Sequence, residues 1–343
     1  MPRVLIRTLA ISLGLSLVGI LIVVLVLGDL SSLRQLGELD APVLLQAGGL
    51  LLLHFAFGGL RLQVLVRLTG ERTTFLSSVR AFILGLFAAA LTPSGGGNAP
   101  GIAIAFQRDG VKPANAWSAA IYTTVLDLFF LGYAVPIAAL LLWRADALPP
   151  ALLVLAMVVS ALCLGIWYGL ASHVDRLEGI VKFVFSIRGI RRWRRAASLF
   201  VRKTAQAMMV MTRGSLTRHI QAHALSLAMH VSLYTIMHVF LAGLDGSGSF
   251  PIVVATVTLV TAVSHFVPTP GGSGYMEATL GYSLAQQISA NAVTASVLAY
   301  RAFSFYAAIV LGAVLGGSLL LQPARESELA PPVVPPRSGT RHG

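Results

Sequence analysis

A chain of 343 residues is long enough for two soluble domains, but 56% of it is hydrophobic and only 11% is charged. Soluble domains carry about 25% charge. The mean hydropathy here is +0.80. Successive apolar runs, each about as long as a hydrocarbon core of about 30 Å requires, exclude a soluble enzyme and define an integral membrane protein. The single cysteine, Cys163, lies within one such run, so no internal disulfide can form.

The excess of 25 Lys+Arg over 13 Asp+Glu would point to nucleic acid in a soluble protein. Its placement points elsewhere. Eleven of the basic residues fall between Ser172 and His219, against only Asp175 and Glu178. A cytoplasmic loop facing anionic headgroups accounts for that cluster, and no nucleic-acid partner is expected. Trp193, set within Arg191-Arg-Trp-Arg-Arg195, suits an interfacial amphipathic helix in this loop.

The start, Met1-Pro-Arg-Val-Leu-Ile-Arg7, has the basic character of a signal peptide. Its apolar run continues to Leu27, too long for a signal core, and no small-x-small cleavage site follows, so it reads as an uncleaved first span. Further apolar runs follow at 43–66, 75–92, 98–107, 114–142, 150–171, 220–243, 250–267, 274–287 and 291–321. The runs at 98–107 and 274–287 fall short of the roughly 20 residues a crossing helix needs. Each follows a break, Thr92-Pro-Ser-Gly-Gly-Gly-Asn98 or Pro268-Thr-Pro-Gly-Gly-Ser-Gly274. Such backbone must be buried in protein or line a wet cavity at membrane depth.

The positive-inside rule orients the runs. Arg3 and Arg7 lie inside, Asp29, Glu38 and Asp40 outside, and Arg67, Arg72 and Arg80 inside again. Segments 75–107 then form a hairpin dipping in from the cytoplasm. The run at 114–142 goes out, 150–171 returns to the basic loop 172–219, and 220–243 goes out towards Asp245. With Arg325, Arg337 and Arg341 inside, 291–321 runs inward, and 250–287 becomes a second hairpin entering from outside. Trp117 and Trp143, about 39 Å apart along a helix, suit two aromatic belts. The expected fold is an all-α polytopic membrane protein of six full spans and two opposed re-entrant helical hairpins. The segment 322–343, rich in proline, is expected to be a disordered cytoplasmic tail.

The two breaks also resemble each other. Pro93 precedes Asn115 by 22 residues and Pro270 precedes Asn291 by 21, each asparagine opening a long span. Asp127 lies 12 residues into the first of these spans and Arg301 lies 10 into the second. Residues 1–143 and 150–321 thus read as inverted repeats, an arrangement that points to a transporter binding site near the midplane.

The stretch from Pro268 to Glu277, followed by Ala299-Tyr-Arg301 and a final span containing Tyr306, resembles the flippase-like membrane family that includes the membrane domain of lysylphosphatidylglycerol synthases. The likeness runs over most of 1–321, and the second-half motif is its specific part. Many members carry a Glu-Arg pair shortly before an aspartate in the first half, where this chain has Thr123 and Thr124 before Asp127. The resemblance implies movement of a lipid with a polar or charged headgroup between leaflets. It also implies that a synthase activity, which members of that kind carry in an appended soluble domain, is not expected of these residues.

Candidate site residues follow. Glu277, at the start of a short helix, is either a carboxylate held by the helix dipole, worth about 0.3–1 kcal/mol, or a coupling or headgroup-binding group. A charge at membrane depth costs about 2.5–3.5 kcal/mol and needs a partner or water. Arg301 is the nearest partner, and its guanidinium suits either neutralisation of Glu277 or phosphate binding. Asp127 is the lone acid of its span. Arg61 or Arg80 is in reach of it, although Arg61 is expected to snorkel towards the cytoplasm. The tips Gly95, Gly96, Gly97 and Asn98, and Pro270, Gly271, Gly272 and Gly274, would offer free amides at helix starts, or else serve as tight hairpin ends. Asn115 and Asn291 read as N-caps. His54, His230, His238 and His265 lack metal-ligand spacing and read as polar bridges between helices, so no metal or cofactor is expected. The expected partners are membrane lipids, with a homo-oligomer open, and the expected location is the plasma membrane with both termini cytoplasmic. Two rival functions stay in view, a membrane-embedded transferase acting on a lipid-linked substrate and a secondary transporter of a small anionic solute.

Overall fold

The computed structural model of the chain describes residues 34–148, 150–172, 209, 211, 214–244, 248–285 and 288–321. The expected first span at 8–27, nearly all of the basic loop with its Trp193 segment, and the tail from 322 lie outside them. The described residues are helical, with no strand among them.

A single 3-10 turn at Leu36–Glu38 leads into α1 (Ala41–Leu68). Proline in the first turn of α1 sits where no backbone donor is lost. Helix α2 (Phe75–Ala90) starts at Thr74, whose hydroxyl accepts the Ser77 N–H at 3.2 Å. After the first glycine break come α3 (Asn98–Arg108), α4 (Pro113–Arg144) and α5 (Pro150–Ser172). The second half comprises α6 (Leu216–Gly243), α7 (Phe250–Ser264), α8 (Tyr275–Ala285) and α9 (Ala290–Arg301). A π-helical turn, Ala302–Tyr306, joins α9 to α10 (Ala307–Leu321).

Among the described residues four helices are long and apolar enough to cross a membrane: α1, α4, α6 and the continuous Ala290–Gly316. Shorter apolar helices occupy 75–90, 152–165 and 250–264. The protein is therefore a multi-pass helical membrane protein. The helix starts differ from expectation at both asparagines. Asn115 lies inside α4, which begins at Pro113, and its amide donates to Glu71 at 2.6 Å. Asn291 follows Ser289, the residue that precedes α9. With proline at the first turn of α4, the cap position falls at Lys112, three residues before Asn115.

Both short helices fold back on their predecessors. A Cβ on Gly101 would lie 2.7 Å from the Leu84 carbonyl oxygen, and one on Gly97 would strike the Ala88 carbonyl. Glycine at these two positions is thus what lets α3 lie directly against α2. One buried cluster holds this hairpin among α1 and α4, through Leu62, Leu65, Phe82, Ile102, Phe106 and Val125. A second holds α7, α8 and α9 against α6, through Tyr234, Phe240, Val257, Leu280 and Val297. Helix α4 belongs to both, contributing Val125 to the first and Phe130, Leu131 and Val135 to the second.

Candidate functional site

The second break, 265–274, closes on itself. Gly272 N–H donates to the Thr269 carbonyl at 3.2 Å and Ser273 N–H to the Pro270 carbonyl at 3.1 Å. Gly274 N–H donates to Glu277 Oε2 at 2.8 Å, the return half of a capping box with glutamate in the first turn. Glu277 is wholly buried, and its other oxygen accepts Arg301 Nε at 2.7 Å. Arg301 Nη2 reaches the Gly271 carbonyl at 3.4 Å and Ser273 Oγ at 3.5 Å. The guanidinium lies over the Phe305 ring, 4.2 Å from its centroid. Glu277 thus caps α8 and is the counter-ion of Arg301.

Phe305 comes from the π turn that follows Arg301, a rare local geometry concentrated at functional sites. Its ring also fixes the tip. Gly271 has φ +59, and a Cβ there would enter the Phe305 ring, so both backbone angle and space demand glycine.

The first break meets the second. Pro93 and Pro270 form an antiparallel bridge, and Ser94 Oγ donates to the Val267 carbonyl at 3.2 Å. Here too the amides are largely taken. Gly97 N–H donates to Thr92 Oγ1 at 2.7 Å, Gly96 N–H to the Pro93 carbonyl and Asn98 N–H to the Gly95 carbonyl. Bonds within each tip therefore occupy the amides of Gly96, Gly97, Asn98, Gly272 and Gly274. Beside the bridge lies a chamber of about 190 Å³, walled by Ser94 and Gly95, by His265, Gly271 and Gly272, and by Arg301.

Of the sequence-designated residues, Gly95, Gly271, Gly272 and Arg301 wall this chamber, with Glu277, Pro270 and Gly274 directly behind it. Gly97 and Asn98 sit deeper, against α2. Ser94 and Phe305 are not singled out by sequence, and His265 is read there as a polar bridge between helices. Phe305 had a visible signal in its spacing of four from Arg301, whereas the meeting of two loops 173 residues apart had none.

Asp127 stands elsewhere. Its carboxylate accepts Arg61 Nη1 at 2.5 Å, and the same nitrogen lies 3.2 Å from Ser226 Oγ. Arg61 is 1% exposed, so it does not snorkel, as the sequence suggested; α6 packs over α1 at this level and closes its route to the surface. Arg80 pairs instead with Asp109. His54 Nδ1 lies 3.0 Å from the Met229 carbonyl, bridging α1 to α6. His230 bonds the carbonyl of Ser226 in its own helix and stacks on Phe130 of α4 at 4.1 Å. His265 bonds the Thr261 carbonyl within its own segment. Among the described residues no three His, Cys, Asp or Glu side chains are grouped to hold a metal.

The Arg61–Asp127 pair has unequal burial, 1% against 24%, and this sets an order of mutational costs. Asp127→Ala strands a guanidinium that cannot reach water. Arg61→Ala leaves a carboxylate whose side chain is already 24% accessible. The first should therefore lower the unfolding midpoint in detergent more than the second, whose cost falls below the roughly 3–5 kcal/mol of a fully buried broken pair. Equal or reversed shifts would contradict the assigned burial.

These features define a polytopic helical membrane protein with two helical hairpins joined at their tips around a buried ion pair. The chain belongs to the family described as the lysylphosphatidylglycerol synthase TM region, which matches residues 2–312. It is also similar to a UPF0104 membrane protein of Archaeoglobus fulgidus, 20% identical over 313 residues that cover 87% of this chain and 95% of that one. No solved structure matches it.

Proposed function

We propose that this protein is a lipid translocase, moving a lipid with a polar or charged headgroup between leaflets without covalent chemistry. The observation that carries the reading is the junction of the two hairpin tips, where Arg301 and Glu277 stand buried beside a small chamber among otherwise apolar helices. Ionisable groups inside a membrane-spanning bundle are costly and mark substrate or ion paths. Interrupted helices meeting at one point are what alternating access requires of a transporter built from repeats.

In this reading the chain makes six spans in the plasma membrane with both termini cytoplasmic. The α2–α3 hairpin enters from the cytoplasm and α7–α8 from the opposite face, so residues 1–143 and 150–321 are inverted repeats. The headgroup passes the tips while its chains stay in lipid. Arg301, already facing the chamber, meets an anionic or phosphate-bearing headgroup, for which a guanidinium fork is suited.

The test is purified protein in liposomes holding trace headgroup-labelled phosphatidylglycerol. Label should move between leaflets faster than in protein-free vesicles, and the recovered lipid should have unchanged mass. Altered lipid mass would establish a transferase. An unchanged leaflet distribution would remove the translocase reading.

A further inference from the structure

The α7–α8 hairpin has a second face, turned away from the chamber. There a groove of about 1110 Å³ lies between α7, α8 and the ends of α4 and α5 that flank their connecting turn. It is slightly larger than ordinary ligand pockets, which run about 300–1,000 Å³. Its walls reach from Trp143 to Val135 on α4 and from Ser283 to Tyr275 on α8. Each stretch is about 12 Å at 1.5 Å per residue. Half of a hydrocarbon core is about 15 Å. The groove is therefore one leaflet deep.

That depth selects the occupant. A transmembrane helix must run the full thickness, and a half-depth groove does not seat one. Exposed Leu152, Leu155, Phe266 and Tyr282 form apolar edges that face lipid. The distribution of polar groups gives the occupant's direction. At the deep end the Tyr275 hydroxyl is satisfied internally, by a hydrogen bond with Thr279. At the end near the α4–α5 turn, Asp146, the Trp143 indole and the Tyr282 and Ser283 hydroxyls stand at the level of a membrane interface.

We infer that this groove is a binding site for one hydrocarbon chain of a single lipid from the leaflet on the α4–α5 turn side. The chain end lies against Val135, Val159 and Val260, and the ester region lies at Tyr282 and Ser283. The inference rests on the membrane-spanning reading above, and translocation is not needed for it. It places a lipid chain on the back of the hairpin whose other face carries the chamber with Arg301.

The test uses the full chain in nanodiscs containing phosphatidylcholine or phosphatidylglycerol with a photoreactive diazirine at the end of one acyl chain. Labelling should concentrate on peptides containing Val135, Val159 and Val260, above that of Leu52 and Leu53, which are exposed on α1. Ala156→Trp, and independently Ser283→Trp, should each reduce groove labelling about fivefold, a loss of about 1 kcal/mol in occupancy, with α1 labelling unchanged. Both lipids should label equally, because the groove contacts the chain. Groove labelling no greater than that of α1, or undiminished in both tryptophan variants, would reduce the site to ordinary annular lipid. Labelling by one headgroup only, or a disulfide between cysteines placed in 8–27 and at Val159, would also overturn the assignment. Labelling does not depend on transport, so its failure and failure of the translocase reading are separable.

Discussion

Arg301→Ala should remove most of the folded protein. The substitution takes the guanidinium away from a carboxylate that is fully buried. Removing one partner of a buried ion pair costs about 3–5 kcal/mol. That is a large part of a typical stability of about 5–15 kcal/mol. The loss is measurable as the monodisperse fraction after detergent extraction and as the unfolding midpoint. Glu277→Gln keeps the shape and an acceptor for Gly274, and should leave most of the protein folded while slowing lipid movement. The double variant Glu277→Gln/Arg301→Met removes both charges and should recover folded yield without recovering transport. If Arg301→Ala and Glu277→Gln both transport normally at wild-type abundance, the pair is structural and the site lies around Asp127.

The two ion pairs show how far sequence reasoning reaches. The sequence pairs Glu277 with Arg301, because a short return helix and the following span must meet through a short turn at Ser289, which leaves few arrangements. For Asp127 the sequence offers Arg61 or Arg80 and cannot choose, because Arg61 and Asp127 are 66 residues apart on helices brought together by packing of α1, α4 and α6, on which periodicity is silent. Snorkelling was the sound default for an arginine near a helix end, and burial by α6 overrode it. The helices themselves were legible from apolar run length and from Pro and Gly breaks, which is why 75–92 and 98–107 appear as α2 and α3. What was not legible is the use made of the glycines. Their composition leaves open amides offered outward or tight hairpin ends; Thr92, Glu277 and neighbouring carbonyls take several of those amides, because a break in the helices of a membrane protein must satisfy its own donors.

Locking the two tips together should stop transport. Pro93 and Pro270 face each other in an antiparallel bridge. Directly opposed residues have Cα atoms about 4.5–5.5 Å apart. A disulfide spans about 4.4–6.8 Å. In a Cys163→Ser background, Pro93→Cys/Pro270→Cys should therefore oxidise without displacing the backbone. The chamber beside the bridge holds about 190 Å³, too little for a lipid headgroup to pass while the tips touch. Drug-sized ligands occupy about 300–1,000 Å³. Passage then requires the α2–α3 and α7–α8 tips to part, and the oxidised protein should move lipid no faster than protein-free liposomes. Reductant should restore movement, and each single cysteine variant should be insensitive to oxidant. Because the cross-link joins residues already in contact, the oxidised protein should keep or raise its unfolding midpoint, which separates a blocked cycle from a damaged fold. Full transport by the cross-linked protein would mean that the headgroup path avoids the junction of the tips.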